Sequence, residues 1–259
     1  MDNIVKILSI FLISTLCNQV AWGADKTENL SGKEWNFTVM PYVWGAALKG
    51  NVATLPPLPA VTVDASFGDI IKAVNLGFMG VAELRKGKFG IISDIVWIDL
   101  SASSSNGVLP SPFTRTLKLD AMTLMVTIAG AYRVYEQKRG WLDLIAGVRG
   151  WYSETTLNVG PGILLTGRKG SHSEGWVDGL GGLRARINLW RGLHVTATTL
   201  GGGGASNSIA DLTGTIGYTF TDQFSVMAGY RYLKVDYKNK GFVWDIEQQG
   251  PILGGRYTF

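Results

Sequence analysis

The chain contains two histidines and one cysteine, and these bound the catalytic or metal chemistry open to it. His172 lies in the run Ser171-His172-Ser173-Glu174, where a hydroxyl, an imidazole and a carboxylate suggest a nucleophile, its base and an orienting acid. A solvated polar loop explains the same four residues without chemistry, and a hydrolytic site resting on one loop histidine ranks last among the readings. His194 stands two residues after a short turn, and with Cys17 near the N-terminus no zinc-ligand spacing exists. Gly160-Pro161-Gly162 and the run Gly201 to Gly204 read as turns, because no helix follows to cradle a phosphate. No catalytic residue, metal or cofactor is expected.

The residues that remain are charges recurring with period two. Glu83, Asp94, Asp143 and Asp178 stand against Arg85, Arg133, Arg149, Arg184, Arg186, Arg231 and Arg256. Each lies within an alternating apolar segment and shares one parity with its neighbouring charges. Glu83 and Arg85 oppose Leu76, Phe78, Ala82 and Leu84; Asp178, Arg184 and Arg186 oppose Val177, Leu183, Ile187 and Leu189. Such a face supports two uses: a pore lining that favours anions, or an ion-pair network that fills a narrow interior. The network is favoured, because unpaired charge in a low-dielectric interior is costly. Arg184 paired with a carboxylate such as Asp178 is one expected contact.

The elements that must carry these charges are ten strands, read from period-two alternation between turn signals. They are Glu34–Leu48, Asn75–Arg85, Phe89–Ser101, Thr116–Tyr135, Trp141–Leu157, Gly175–Leu189, Leu193–Gly201, Ser208–Phe220, Phe224–Tyr237 and Phe242–Phe259. Tight connections alternate with longer ones at 49–74, 102–115, 158–174, 202–207 and 238–241. Short turns on one side and long loops on the other predict an all-β, closed antiparallel transmembrane barrel of ten strands, with eight as the alternative. A soluble β-sandwich would show the same alternation. The barrel is preferred because strand cations are nearly all Arg, with Lys at turns and rims, and because aromatics collect at both strand ends. Trp35, Phe37, Phe89, Tyr135, Trp141, Trp190, Phe220, Phe224 and Phe259 are read as the short-turn belt; Trp44, Trp97, Trp151, Tyr152, Trp176, Tyr237 and Trp244 as the opposite one.

Residues 1–23 read as a signal peptide: Lys6, an apolar run from Ile7 to Leu16, then Ala21-Trp22-Gly23 before Ala24. Leu16 before Cys17 breaks a lipoprotein site, so cleavage at Ala24 without lipidation is expected. Residues 24–33 form a periplasmic lead and 34–259 the barrel. Removal of Cys17 leaves an exported chain with no disulfide. With 46% hydrophobic and 17% charged residues, disorder is excluded. A net charge of +4 is too thin and scattered for nucleic acid.

Several stretches together resemble a group of small, mostly uncharacterised Gram-negative outer-membrane barrels, loosely of the opacity-protein type. They are Pro41-Tyr42-Val43-Trp44, Leu76 to Ser103, Trp176-Val177-Asp178 with Gly182-Leu183-Arg184, Gly229 to Tyr237 and Gly250 to Phe259. The resemblance implies a location in the cell outer membrane and carries no catalytic motif. The closing residues Leu253, Gly255, Tyr257 and Phe259 look like the terminal-strand signal read by barrel-insertion machinery. Outer-membrane lipid, periplasmic chaperones and that machinery are the expected partners, and a monomer is expected. The functional expectation is a structural or surface protein, with a narrow anion-leaning channel as the alternative. Pro41 and Pro251 each remove a donor from a strand and predict bulges. In loop 49–74, the Leu55-Pro56-Pro57-Leu58-Pro59 run is stiff, and Phe67 to Val74 predicts one or two helical turns. Covering or plugging the barrel mouth and an adhesive surface are both open to this loop; packing on its own apolar residues is the preferred reading.

Overall fold

The computed structural model describes residues 34–104, 117–159 and 168–259. The signal peptide and the lead expected at 24–33 lie outside the described residues. The elements are β1 (Asn36–Trp44), β2 (Ala47–Ala53), β3 (Val61–Ala65), α1 (Phe67–Ala73), β4 (Val74–Lys86), β5 (Phe89–Ser104), β6 (Leu117–Gln137), β7 (Gly140–Val159), β8 (Arg168–Trp190), β9 (Leu193–Gly204), β10 (Ser208–Thr219), β11 (Phe224–Asn239) and β12 (Phe242–Thr258). Each of β4 to β12 pairs antiparallel with the next, and β1 pairs with both β4 and β12, which closes a ten-stranded barrel. Closure leaves the ten wall strands without a full-length open edge.

β2 continues β1 along the same partner. Trp44 lies opposite Ile252 and Ala47 opposite Gln249, so the register runs unbroken across residues 45 and 46. The ladder also keeps step across Pro41, from Val39 opposite Tyr257 to Tyr42 opposite Gly254, and across Pro251, which lies opposite Tyr230. Neither proline makes the expected bulge. Pro41 instead ends the other ladder: β1 and β4 pair from Asn36–Arg85 to Pro41–Gly80 and then part. β3, inside the segment read as a loop, pairs with β2 from Leu48–Ala65 to Val52–Val61. Register shifts lie elsewhere, at Val74/Leu76, Arg133/Tyr135 and Asn188/Trp190.

The hairpin Arg191-Gly192 places both residues in the left-handed region (φ 37° and 84°), as the two-residue turns that match strand twist require. A side chain at Gly192 would also meet the Thr219 carbonyl at 2.7 Å. At the other end the strands run further than alternation indicated. β8 begins at Arg168, which places the Ser171–Glu174 run within a strand.

Period two then separates inside from outside. Leu76, Phe78, Ile128, Leu144, Val177, Ile187, Leu212, Ile216 and Leu253 point out and are exposed. Arg85, Arg133, Asp143, Arg149, Asp178, Asp211 and Arg231 point in and are buried. The buried charges therefore lie inside the barrel and much of its outer face is apolar, the reverse of a protein solvated by water.

Candidate functional site: the filled lumen

The lumen holds three tiers. Nearest the short turns, Asp143 on β7 is fully buried and accepts from three guanidiniums. Arg85 Nη2 donates to Oδ2 at 2.7 Å, Arg184 Nη2 to the same oxygen at 3.1 Å, and Arg133 Nε to Oδ1. Glu83 completes the group. It accepts from Arg184 Nη1 and Nη2, both at 2.9 Å, and from Arg85 Nε at 2.8 Å. Trp141 lies against two of these cations, with Arg133 at 4.2 Å and Arg184 at 5.1 Å from its ring centre. The β4–β8 contact spans the barrel between strands that never pair, so the network ties opposite walls together.

The middle tier is built on Asp211 of β10. Arg149 Nη2 and Arg231 Nη2 each donate to its Oδ2 at 2.7 Å, and Arg231 Nε to Oδ1 at 3.0 Å. Arg149 Nε also donates to Thr127 Oγ1 at 2.8 Å. Arg231 Nη1 reaches the Tyr42 hydroxyl at 2.9 Å, and that hydroxyl donates to Asp94 Oδ1 at 2.8 Å. Arg231 Nη2 lies 3.1 Å from Asp94 Oδ2. Two cations thus meet two carboxylates, and charge-assisted bonds of this length are the strong kind.

Toward the long loops the lumen turns apolar. Trp176 stacks on Tyr237 at 4.2 Å and on Trp151 at 5.6 Å, with Phe242, Trp244 and Trp44 beside them. Leu180, Ile209, Leu233, Val235 and Ile246 fill the same cluster. Trp44, Trp151, Trp176, Tyr237 and Trp244 were expected in a lipid-facing belt; they point inward and are buried. Their parity explains this, since Trp151 shares the face of Arg149 and Trp176 that of Asp178.

The eleven charges singled out by sequence divide. Glu83, Arg85, Arg133, Asp143 and Arg184 meet in the first tier; Asp94, Arg149 and Arg231 meet in the second. Asp178 is not the partner of Arg184. It accepts from the Ser206 backbone N–H at 2.6 Å and the Ser206 hydroxyl at 2.8 Å, and Trp176 Nε1 donates to that same hydroxyl. Arg186 bonds Asn188 at 3.0 Å, and Arg256 lies opposite Ser225 on β11. Sequence reasoning missed Asp211, Tyr42 and Ser206. Asp211 was within reach, because it shares the face of Thr213 and Thr215 opposite the exposed Leu212, Ile216 and Tyr218.

The Ser171–Glu174 run does not assemble as a nucleophile set. In a strand its members alternate, so Ser171 and Ser173 face out while His172 and Glu174 face in. Glu174 accepts from the Tyr237 hydroxyl at 2.7 Å and from Asn239 at 2.8 Å, with His172 at 3.6 Å. His194 is buried at the short-turn end, its Nδ1 3.2 Å from the Gly192 carbonyl oxygen.

Fold and lumen define the class: a closed antiparallel barrel with an apolar exterior and a filled interior. No family model matches the chain, and no curated protein matches it in sequence. Among solved structures it is similar to Ail, the attachment invasion locus protein of Yersinia pestis, in complex with the heparin analogue sucrose octasulfate. That match has 15% identity and a TM-score of 0.38 over 87% of this chain and 98% of that one. It is also similar to the translocator domain of the autotransporter NalP from Neisseria meningitidis, at 12% identity and TM-score 0.42 over 86% of this chain and 88% of that one. Neisserial surface protein A matches at 14% identity and TM-score 0.27, over 87% of this chain and 97% of that one.

Proposed function

We propose that this protein is an integral outer-membrane barrel with a shut lumen, serving a structural or surface role. The observation that carries this reading is the lumen itself. Two ion-pair clusters cross it and an aromatic stack lies in the end above them, so each arginine of the two clusters meets a carboxylate within the barrel. The acid missing from the sequence count, Asp211, weakens the anion-channel alternative, because it neutralises cations that would otherwise line a pore.

Membrane residence is supported by the outer wall. On β11, outward residues run Phe224, Val226, Ala228, Tyr230 and Tyr232 before Lys234, the first charge. Ten residues at about 3.3 Å each, tilted by about 40°, span roughly 25 Å, the height of a lipid-facing band. Lys234 opens a charged row in register across four strands: Lys234, Glu247, Lys49 and Asp64. Its ion pairs measure 2.8 Å and 3.2 Å at the two ends. Above that row the strands continue into water, and this projecting part is the surface available to the exterior.

Cell fractionation tests the location. The protein is expected in the outer-membrane fraction, resistant to alkaline and urea washing, and starting at Ala24. A folded monomer released into the soluble fraction would overturn the reading.

A further inference from the structure

The barrel wall is not zipped along its whole height, and α1 stands where the zipper stops. Above the Pro41–Gly80 pair no described strand pairs with Val74–Met79 of β4 on the side facing β1. Counting up from that pair, Gly45 is level with Leu76 and Ala47 with Val74. β3 ends at Ala65 opposite Leu48, at nearly the same height, and α1 crosses from there to β4. Open backbone at this height is costly against hydrocarbon and is tolerated only where protein covers it.

α1 has the form of a cover with an outward apolar face. Phe67, Ile70 and Ile71 fall at helical spacing. The Phe67 ring lies over the outer side of Gly45, where an added Cβ would meet it at 3.5 Å and Pro251 at 3.3 Å. Gly45 is buried there although its neighbours Trp44 and Ile252, which oppose each other, point into the lumen. Phe67 remains 40% exposed and Ile71 51%, and just below them lie the exposed Leu76 and Phe78 of the wall. Asp99, the first outward charge of β5, lies opposite Leu76, and the charged row through Lys49 runs just above. The helix is held rigid at its start by a reciprocal cap: Ser66 accepts from the Asp69 N–H, and the Asp69 carboxylate accepts from the Ser66 N–H and hydroxyl. Those bonds hold the exposed Asp69 carboxyl below its ordinary pKa, so it keeps its charge on the polar side.

We infer that α1 is an interfacial helix that rests in the outer edge of the bilayer and seals the seam between β1–β2 and β4, with lipid as the partner of its Phe67–Ile71 face. The apolar face continues the lipid-facing wall, and its height coincides with the change from apolar to charged outward residues. This rests on the membrane reading above, and the experiment separates the two.

Single cysteines are placed at Ile71, at Ile216 in the middle of the wall and at Leu58 on the β2–β3 connection, in the mature chain refolded into phosphatidylcholine vesicles. Each is spin-labelled and its collisions with oxygen and a water-soluble nickel chelate are compared. The Ile71→Cys label is expected to favour oxygen, at a shallower depth than Ile216→Cys, while Leu58→Cys favours nickel. An Ile71 label as open to nickel as that at Leu58, with Ile216 still lipid-like, would overturn the inference alone. An Ile216 label open to nickel would overturn the membrane reading and this inference with it. For the seam, Phe67→Ser is expected to speed hydrogen exchange of 74–79 at least tenfold while that of β8 stays unchanged; equal exchange in 74–79 would refute the sealing role.

Discussion

Replacing Asp143 by alanine is expected to lower the thermal unfolding temperature of the refolded barrel by on the order of 10 °C. Asp143 is fully buried and is the shared acceptor of Arg85, Arg133 and Arg184. Its loss leaves Glu83 to face Arg85 and Arg184, and Arg133 with only the half-exposed Glu136 at 3.5 Å. Stranding buried charge in this way costs about 3–5 kcal/mol, and a chain of this size loses roughly 2–4 °C per kcal/mol. The temperature at which the folded, detergent-resistant form disappears measures it. A shift below about 2 °C would mean that water or mobile side chains neutralise the cluster, and the network would not brace the walls.

The second large effect concerns the chain end. Phe259 is exposed on the outer wall, stacked on Phe37 at 5.7 Å and on Tyr257 edge-on at 4.8 Å. Its backbone N–H donates to the Phe37 carbonyl at 2.8 Å, which fastens β12 to β1 at the closure. Deleting it forfeits at most about 1.5–3 kcal/mol of transfer of the ring from water into lipid, too little to unfold a complete barrel. The proposal that insertion machinery reads Leu253, Gly255, Tyr257 and Phe259 adds a cellular effect. Membrane-inserted, protease-resistant protein is expected to fall several-fold in cells, while refolding into detergent is little changed. Equal insertion in cells would count against the terminal signal.

The strand plan was legible because charge and leucine-type residues alternate in register along single segments, as in Glu83–Arg85 against Leu76–Leu84. The partners were not. Arg184 and Glu83 lie 101 residues apart on strands that never pair, and only the closed cylinder brings them together. Nothing in strand parity distinguishes Glu83 from Asp178 as the acid that Arg184 meets. The long-loop aromatic belt, and Trp141 of the short-turn belt, were misread for a different reason. A tryptophan near a strand end looks the same in composition whether it faces lipid or lumen. Its parity relative to the nearest charge decides, and Trp151 and Trp176 carry that signal beside Arg149 and Asp178. β3 was hidden by its length, since five residues after a proline-rich run give alternation too little room. The helix at Phe67–Ala73 was legible from its spacing, but its seat on the outer wall depends on where β1 leaves β4.

Ion conduction through the refolded protein in planar bilayers tests the shut lumen most directly. The account predicts no steady single-channel openings for the wild-type chain in 1 M potassium chloride at either polarity, in membranes where an open porin added as a control conducts. Reproducible openings with anion selectivity, abolished or altered by replacing Arg149 or Arg231, would contradict it and make the lumen a pore.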